Sequence, residues 1–323
     1  MKIRIVAITL LLFMLVAASA SIAQDSEFAE DTFAKAWVLY EQGKARLDDP
    51  EGPELGEALL LFQDAIDKRG GIFPEAEMGI GDIYFREGAF ALAGRQYLKA
   101  YELRTGMEIT EERYTILYRL ADLYEIQEMY KDMEDHLLLI LEEQPYYAES
   151  RYEGFRNAFD STFREKGPDH LFKLYRMDGV EFSVAAHSRL GWFYYRTGLF
   201  QKAIINCLFA LDIMITGGMN ELRLVKPGYV FTNVADFLDA ALKRENIRQY
   251  LVDGEFFKTL YYLAASANAA SLPGRAEPIW SLLAGYPLEE LGPGVAAYAD
   301  LSKRQLESPW VDPLINTSVR KIN

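Results

Sequence analysis

VAAHSRLGWFYYRTGLFQKAIINCLFALDIMI, residues 184–215, is the stretch from which the fold of this chain is best predicted. Large and small apolar residues alternate along it at the 3–4-residue spacing of a helix face. Thr197-Gly198 interrupts the pattern once, which is typical of a turn. The stretch therefore predicts two helices joined by a tight turn, packed closely where Gly191 and Ala203 leave room.

The same arrangement occurs a second time over residues 74–107 and, less regularly, a third time over 114–147. The second copy aligns without gaps: Ile80-Gly81, Tyr84, Gly88, Phe90, Ala93, Tyr97 and Ala100 match Leu190-Gly191, Tyr194, Gly198, Phe200, Ala203, Cys207 and Ala210. In the third copy Glu128 stands where the turn glycine is expected. A pattern that returns at this length indicates a repeat protein.

These positions resemble the tetratricopeptide repeat (TPR), a helix–turn–helix unit of about 34 residues. The resemblance is specific over 74–147 and 184–215 and weaker over 33–69 and 256–286. It implies an all-α fold, a right-handed α-solenoid of TPR-like helix pairs with a C-terminal helical cap. It also implies that the first helix of each pair lines a concave surface.

Loop signals between the periodic segments divide the chain further. The predicted segments are a flexible leader (24–32), TPR-like repeats (33–215), a linker (216–228), divergent helices with a cap (229–307) and an irregular tail (308–323). The glycines of Thr216-Gly217-Gly218 are the reason for the linker. Within 229–307 we expect a helix over 229–244, a proline, Pro278, in the first turn of a later helix, and a last helix ending near Glu307.

The N-terminus has the pattern of a secretory signal peptide, predicted to span 1–23. Lys2 and Arg4 precede an apolar run from Ile5 to Val16, and cleavage is expected after Ala23. An uncleaved anchor is the alternative, although the run is short for a bilayer span. No later run of about 18 apolar residues is free of charge. We therefore expect a periplasmic or secreted protein without a stable membrane span after cleavage.

The formal net charge of −14 makes some classes of binding partner unfavourable. Removing Lys2 and Arg4 with the signal makes the chain still more acidic. An acidic surface repels phosphate backbones and anionic headgroups, so we expect no nucleic-acid binding. The single cysteine, Cys207, cannot form an internal disulfide and lies within the apolar pattern, which predicts a small buried side chain.

Residues with catalytic potential form no recognisable motif. The GxG at Gly79 and Gly81 lies inside a predicted helix, whereas a phosphate loop follows a strand. His136, His170 and His187 are too far apart for a local zinc motif, which needs about three convergent ligands. We therefore predict no enzyme activity, no cofactor and no metal site, with a spatially assembled carboxylate pair left as the enzymatic alternative.

The concave positions implied by the resemblance are the candidate partner-binding residues. They combine aromatic and charged side chains, as peptide-binding surfaces do. These candidates are Glu75, Met78, Asp82, Phe85, Arg86, Tyr118, Asp122, Glu125, Ser188, Trp192, Tyr195 and Arg196. For Trp192, packing between repeats is as good an interpretation as partner contact.

Two functions follow as hypotheses. The first is an exported, non-catalytic scaffold that binds a protein or peptide partner of a bacterial cell envelope through its groove. The alternative is a protein that binds a small apolar ligand beside an envelope transport system, which resembles periplasmic repeat proteins in general design. The apolar segment Ala203–Ile215 motivates this alternative, since a helix that is apolar all round must be surrounded.

Overall fold

The structure, a computed structural model, describes residues 32–315 and 317 and is all-α over them, without β-strands. The helices are α1 (32–47), α2 (Leu55–Lys68), α3 (Pro74–Arg86), α4 (Phe90–Glu102), α5 (Glu112–Ile126), α6 (Tyr130–Leu141), α7 (Pro145–Ala148), α8 (Glu153–Lys166), α9 (Pro168–Leu174), α10 (Val184–Arg196), α11 (Phe200–Val225), α12 (Val234–Ala241), α13 (Glu245–Asp253), α14 (Phe256–Ala269), α15 (Pro273–Gly285) and α16 (Pro293–Glu307). The predicted signal peptide (1–23), nearly all of the leader (24–32) and the end of the tail (308–323) lie outside the described residues.

The chain divides into two compact units, and the division falls within α5, after Leu123. In the first unit, buried aromatic and aliphatic side chains of α1, α2 and α3 form one cluster. The ring centroids of Tyr40 and Phe62 lie 5.8 Å apart and those of Tyr40 and Phe73 lie 5.4 Å apart. These ring contacts join α1 to α2 and to the start of α3.

Four helix pairs are joined by turns of the same geometry: α3–α4, α5–α6, α10–α11 and α14–α15. In each turn one residue adopts a positive φ, and the next amide donates to the carbonyl five residues earlier, at 2.8–2.9 Å. The positive-φ residues are Gly88, Glu128, Gly198 and Ser271. This is the Schellman helix ending, for which glycine is preferred. Glu128 thus takes the glycine conformation at φ +58°, as the alignment of the third copy requires.

Glycines within α3 and α10 allow the paired helices to approach closely. A Cβ added to Gly81 would lie 2.5 Å from the ring of Tyr97, and one added to Gly191 would lie 2.5 Å from the Cys207 sulfur. Both distances are far shorter than a van der Waals contact. The two contacts join equivalent positions of the two aligned copies, so the predicted close packing is confirmed for these pairs.

The predicted linker 216–228 is wrong as far as Val225, because α11 continues through it. Gly217 and Gly218 are helical, and neighbouring aromatic rings occupy the space that side chains would need. An added Cβ would lie 2.9 Å from the Tyr250 hydroxyl at Gly217 and 2.7 Å from the Phe237 ring at Gly218. The glycine pair therefore serves packing rather than chain reversal.

Helix α11 is the centre of the second unit, with α10, α12, α13 and α14 packed against it. It is also the one helix of the described residues that is long and apolar enough to cross a membrane. Most of its apolar window, 83%, is buried inside the protein. Its apolar character is therefore satisfied by neighbouring helices, as expected for a helix that is apolar all round.

The helix expected over 229–244 is shorter than predicted. Residues 229–233 precede α12, which begins at Val234 because the Asn233 side chain accepts a hydrogen bond from the Asp236 amide at 2.8 Å. This is an N-cap interaction. The helix ends at Ala241, and α13 follows as a separate helix that the sequence pattern does not indicate.

Pro278 lies inside α15 rather than in its first turn, which corrects the prediction. The helix begins at Pro273, so Pro278 removes the amide that would otherwise bond to the Gly274 carbonyl. The pair α14–α15 and the last helix, α16, agree with the sequence pattern. After α16 the chain continues without regular secondary structure as far as Ile315.

Candidate functional site

The candidate groove residues of α3 are used largely for packing within the first unit. Glu75 is fully buried and its carboxylate accepts a hydrogen bond from the Glu108 amide at 2.7 Å, while Met78 is 7% exposed. Asp82 accepts a hydrogen bond from the Tyr97 hydroxyl at 2.7 Å. These three side chains stabilise their helix against its neighbours and do not form an open surface.

The remaining candidates of the first unit are more accessible but also have partners. Phe85 contacts the Phe90 ring at 5.6 Å between centroids, and Arg86 pairs with Asp48 at 2.7 Å. Tyr118 and Asp122 of α5 are half-buried. The resemblance places all these positions on one concave surface, yet only part of each side chain is accessible.

The second unit contains the other five candidates. Glu125 forms an ion pair with Arg189 at 2.6 Å. Ser188, Trp192, Tyr195 and Arg196 follow one another at helical spacing, so they share one side of α10. We call this side the α10 face.

Helix α14 covers the first part of the α10 face. Buried Ser188 accepts a hydrogen bond from the Thr259 hydroxyl at 2.9 Å. Further along α10, the ring of Tyr195 lies 5.5 Å from that of Tyr262 between centroids. Trp192 and Arg196 remain half-exposed. The α10 face is therefore partly covered by α14 and is not an open groove.

The C-terminal tail covers the rest of the α10 face with its main chain. The Asp312 amide donates to the Tyr195 hydroxyl at 2.9 Å, and Arg196 Nε donates to the Pro313 carbonyl at 3.1 Å. The Ile315 amide donates to the Arg196 carbonyl at 2.7 Å. Three main-chain groups of the tail are thus held by two candidate residues predicted from the sequence.

A glutamine of α16 holds the beginning of the tail. The Trp310 amide donates to Gln305 Oε1 at 3.0 Å, and Gln305 Nε2 donates to the Trp310 carbonyl and to the Tyr261 hydroxyl, both at 3.2 Å. Gln305 is fully buried, so this amide group is fixed. The Trp310 indole donates to the Asp312 carboxylate at 3.1 Å.

The side chains of the tail are less engaged than its main chain. Val311 is 44% exposed and Leu314 60% exposed. Leu314 lies beside the turn between α10 and α11, where a Cβ added to Gly198 would be 3.6 Å from its methyl groups. The tail is therefore held mainly through backbone hydrogen bonds and the Trp310 position.

Burial raises the pKa of Tyr195 to about 12, and the hydrogen bond from the Asp312 amide only partly opposes this. The hydroxyl is therefore neutral at physiological pH. A neutral hydroxyl accepts the tail amide without requiring a buried charge. The contact with Asp312 thus does not depend on pH in the physiological range.

A buried polar group lies on the opposite side of α10, away from the tail. His187 Nδ1 donates a hydrogen bond at 2.8 Å to Asn206 Oδ1, and His187 Nε2 lies 3.4 Å from Gln144 Nε2. Burial lowers the pKa of His187 to about 4, so the imidazole is neutral. Cys207 is fully buried beside this group, and burial raises the pKa of its thiol. These residues have the properties of core side chains.

Asp212 is the most unusual buried group of α11. It is fully buried, and neither carboxylate oxygen has a hydrogen-bond partner among the described residues. Burial raises its pKa to about 7, although the positive charge of Arg176 opposes the shift. The described residues bring no three His, Cys, Asp or Glu side chains together as a metal site.

A separate cavity of about 580 Å³ lies beside the start of α12, between the α8–α9 junction and α15. Leu260 and Ile279, both buried, provide an apolar side. Lys166, Asp169 and Arg275 provide charged groups. An apolar wall with a few polar groups is the usual composition of a small-ligand site.

No known protein family matches the chain, and no solved structure is similar to it. It is similar to an uncharacterized protein of Treponema pallidum (strain Nichols), 26% identical over 71% of this chain and 63% of that protein. The chain therefore spans less than two thirds of that relative. It is also similar to an uncharacterized protein of Borreliella burgdorferi, 24% identical over 84% of this chain and 90% of that protein.

Proposed function

We propose that this protein is an exported, non-catalytic scaffold that binds a protein or peptide partner in a bacterial cell envelope. Its helix pairs would form a right-handed, TPR-like α-solenoid with α16 as the cap. The observation that carries the proposal is the binding of an extended segment, the tail, to Tyr195 and Arg196 on the α10 face. Export rests on the signal-peptide pattern of residues 1–23.

The chemistry of the α10 face supports recognition of a polypeptide. The Tyr195 hydroxyl and the Arg196 carbonyl accept hydrogen bonds from two amides of the tail, and the Arg196 guanidinium donates one to a tail carbonyl. Main-chain hydrogen bonds bind any suitable backbone, and side-chain contacts then add specificity. The half-buried Trp192 and Trp310 are of the residue type that dominates binding energy at interfaces.

The test is a pull-down from solubilised envelope extract, with the protein from Gln24 onward as bait and mass spectrometry as readout. The binding variant combines Trp192→Ala with Arg196→Ala. The matched control is Tyr194→Phe, which removes a hydroxyl that donates to Glu134 at 2.8 Å and has no contact with the tail. A saturable partner retained by the control and lost by the binding variant is expected. A partner captured equally by all three proteins would place the interaction elsewhere.

The cavity beside α12 supports a second candidate, the binding of a small and partly apolar ligand next to an envelope transport system. Its volume is in the range of small-molecule sites, and its lining is mixed. The apolar segment of α11 also led to this function as a prediction, but that helix is surrounded by protein. The cavity is therefore the better support.

Native mass spectrometry of the protein purified from its own envelope tests this second function. Ser281 lines the cavity, so Ser281→Trp is expected to fill it and to remove any bound mass. Ala297→Trp, on the exposed part of α16, is the control that should retain the mass. A protein without additional mass, or a mass that survives the Ser281 change, would contradict the small-ligand function.

A further inference from the structure

We infer that tail residues 309–315 occupy in cis the position that a partner's segment occupies in trans, and that the tail must leave before the partner binds. The partner segment is extended and carries an aromatic residue followed, two and three positions later, by an acid and a proline. This inference rests on the proposed peptide-binding function and adds the class of segment and its regulation.

The conformation of the tail is the first observation that supports this inference. Residues 309–315 have no regular secondary structure, and their main chain is bonded to other elements rather than to itself. Pro313 contributes a carbonyl to Arg196 and has no amide that would need a partner. Proline also limits the conformations of the free segment, which lowers the entropy lost on binding.

The residues of the tail differ in how many contacts they make with the rest of the protein. Gln305 fixes both main-chain groups of Trp310, and the Arg304 guanidinium lies 6.0 Å from the Trp310 ring. Asp312 accepts from the indole and presents its own amide to Tyr195. Val311 and Leu314 are largely exposed. Gln305 and Arg304 of α16 thus hold the aromatic residue, Tyr195 and Arg196 of the α10 face hold the Asp-Pro pair, and the other positions are left free.

The attachment of the tail favours a contact that is reversible. Only two residues separate the end of α16 from Trp310, so the attached tail has an effective concentration in the millimolar range at the face. Yet the tail buries little side-chain surface, so each departure exposes few apolar groups. A segment that is weakly bound but tethered is replaced by a partner that offers the same main-chain groups and more side-chain contact.

The experiment uses a fluorescent peptide with the sequence of residues 307–316, ESPWVDPLIN, and measures its binding by anisotropy. The native chain is compared with a loosened variant that combines Trp310→Ala and Asp312→Pro, which removes the aromatic anchor and the amide bonded to Tyr195. We expect at least about tenfold tighter binding to the loosened variant, because its own tail no longer competes.

Two further protein variants and one altered peptide test whether binding depends on Tyr195 and on the aromatic residue. Tyr195→Phe in the loosened variant removes the acceptor of the peptide amide, so binding should weaken several-fold. Tyr194→Phe in the same background is the control and should bind unchanged. A peptide with Trp310 replaced by alanine should bind at least about tenfold more weakly. Equal binding of both peptides would overturn the aromatic requirement.

The outcomes separate this inference from the proposed function. Equal affinity for the native and loosened chains would overturn competition by the tail and leave peptide binding intact. Absence of binding to every variant would overturn this inference, and the pull-down would still decide whether the α10 face binds a partner. Hydrogen exchange on the native chain provides a measurement without tail substitutions: saturating peptide should accelerate exchange of the Asp312 and Ile315 amides, and unchanged exchange would contradict displacement.

Discussion

Replacing Gly191 with alanine should destabilise the protein, although alanine is the better helix former. The added Cβ would lie 2.5 Å from the Cys207 sulfur and 3.3 Å from the Cys207 amide nitrogen. Relief requires α10 and α11 to separate by about 1 Å, judged against an ordinary contact of about 3.5 Å. Overpacking of this kind costs about 1–3 kcal/mol, and the better propensity of alanine returns about 1 kcal/mol. We expect a net loss of up to about 2 kcal/mol in the free energy of unfolding.

Urea unfolding followed by circular dichroism at 222 nm measures this loss, with tryptophan fluorescence as the second probe. Gly154→Ala is the matched control, because Gly154 lies in the first turn of α8 and no atom lies within 4 Å of its added Cβ. That change should leave the protein unchanged or stabilise it by up to about 1 kcal/mol. A loss at Gly191 with none at Gly154 would isolate the steric contact from the general effect of glycine.

The Cys207 sulfur is the specific cause, so a double variant tests the reasoning. Cys207→Ala removes the atom at 2.5 Å and leaves the amide nitrogen at 3.3 Å. Gly191→Ala should therefore cost at least about 1 kcal/mol less in the Cys207→Ala background than in the native chain. An equal cost in both backgrounds would refute the close-approach argument, as would a Gly191→Ala protein at least as stable as the native one.

Three further predictions concern other parts of the chain. Because burial raises the Asp212 pKa from 3.8 to about 7, the native state keeps a proton that the unfolded state releases between about pH 4 and pH 7. Stability therefore falls as the pH rises through this range, and the loss is complete above pH 7. Asp212→Asn should therefore stabilise the protein by about 3–5 kcal/mol at pH 8, and the gain over the native chain should shrink toward zero near pH 4 in urea titrations; a gain that does not vary with pH would contradict the assignment. Pro278→Ala should raise the free energy of unfolding by about 1–2 kcal/mol, and with it the urea midpoint. The Gly274 carbonyl regains a donor, and this gain exceeds the cost of a more flexible unfolded chain. A lower midpoint would show that the proline stabilises the protein. N-terminal sequencing of the protein from an envelope fraction should begin at Gln24, and an intact Met1 would contradict cleavage.

The helix pairs could be predicted from the sequence because their signals are local. Small residues at Gly81 and Gly191 stand at the same place relative to the turn, and the structure uses both for close packing. The turn itself tolerates a substitution, since Glu128 adopts the positive φ of the glycines. Periodicity and turn position were therefore sufficient for α3 to α6 and for α10 and α11.

The same reasoning failed at Gly217 and Gly218 because one residue type has two uses. Glycine ends a helix where a positive φ is needed and continues a helix where a neighbour comes close. The neighbours here, Phe237 and Tyr250, lie on α12 and α13, well beyond the glycines in sequence. A local pattern contains no information about such partners.

The candidate surface was predictable only in part for a similar reason. The repeat position of Glu75 identifies the side of α3 on which it lies, but its burial depends on the main chain at Glu108. The contact of Tyr195 with the tail could not be foreseen, because an extended segment has no periodicity to detect. A tryptophan two residues before an Asp-Pro pair, in a tail expected to be irregular, was the one available signal.

Helix α10 makes a close packing contact on one side and hydrogen bonds to the tail on another. Through Gly191 it is fixed closely against α11, while Tyr195 and Arg196 are presented on another side to α14 and the tail. A helix packed this tightly cannot shift to accommodate a ligand, so the two side chains are held in place before binding. Pre-positioned groups lose little entropy when a partner arrives, and an extended segment held by few hydrogen bonds benefits most from that saving. If the α10 face binds a partner as proposed, the close packing at Gly191 therefore also prepares this face to bind a backbone.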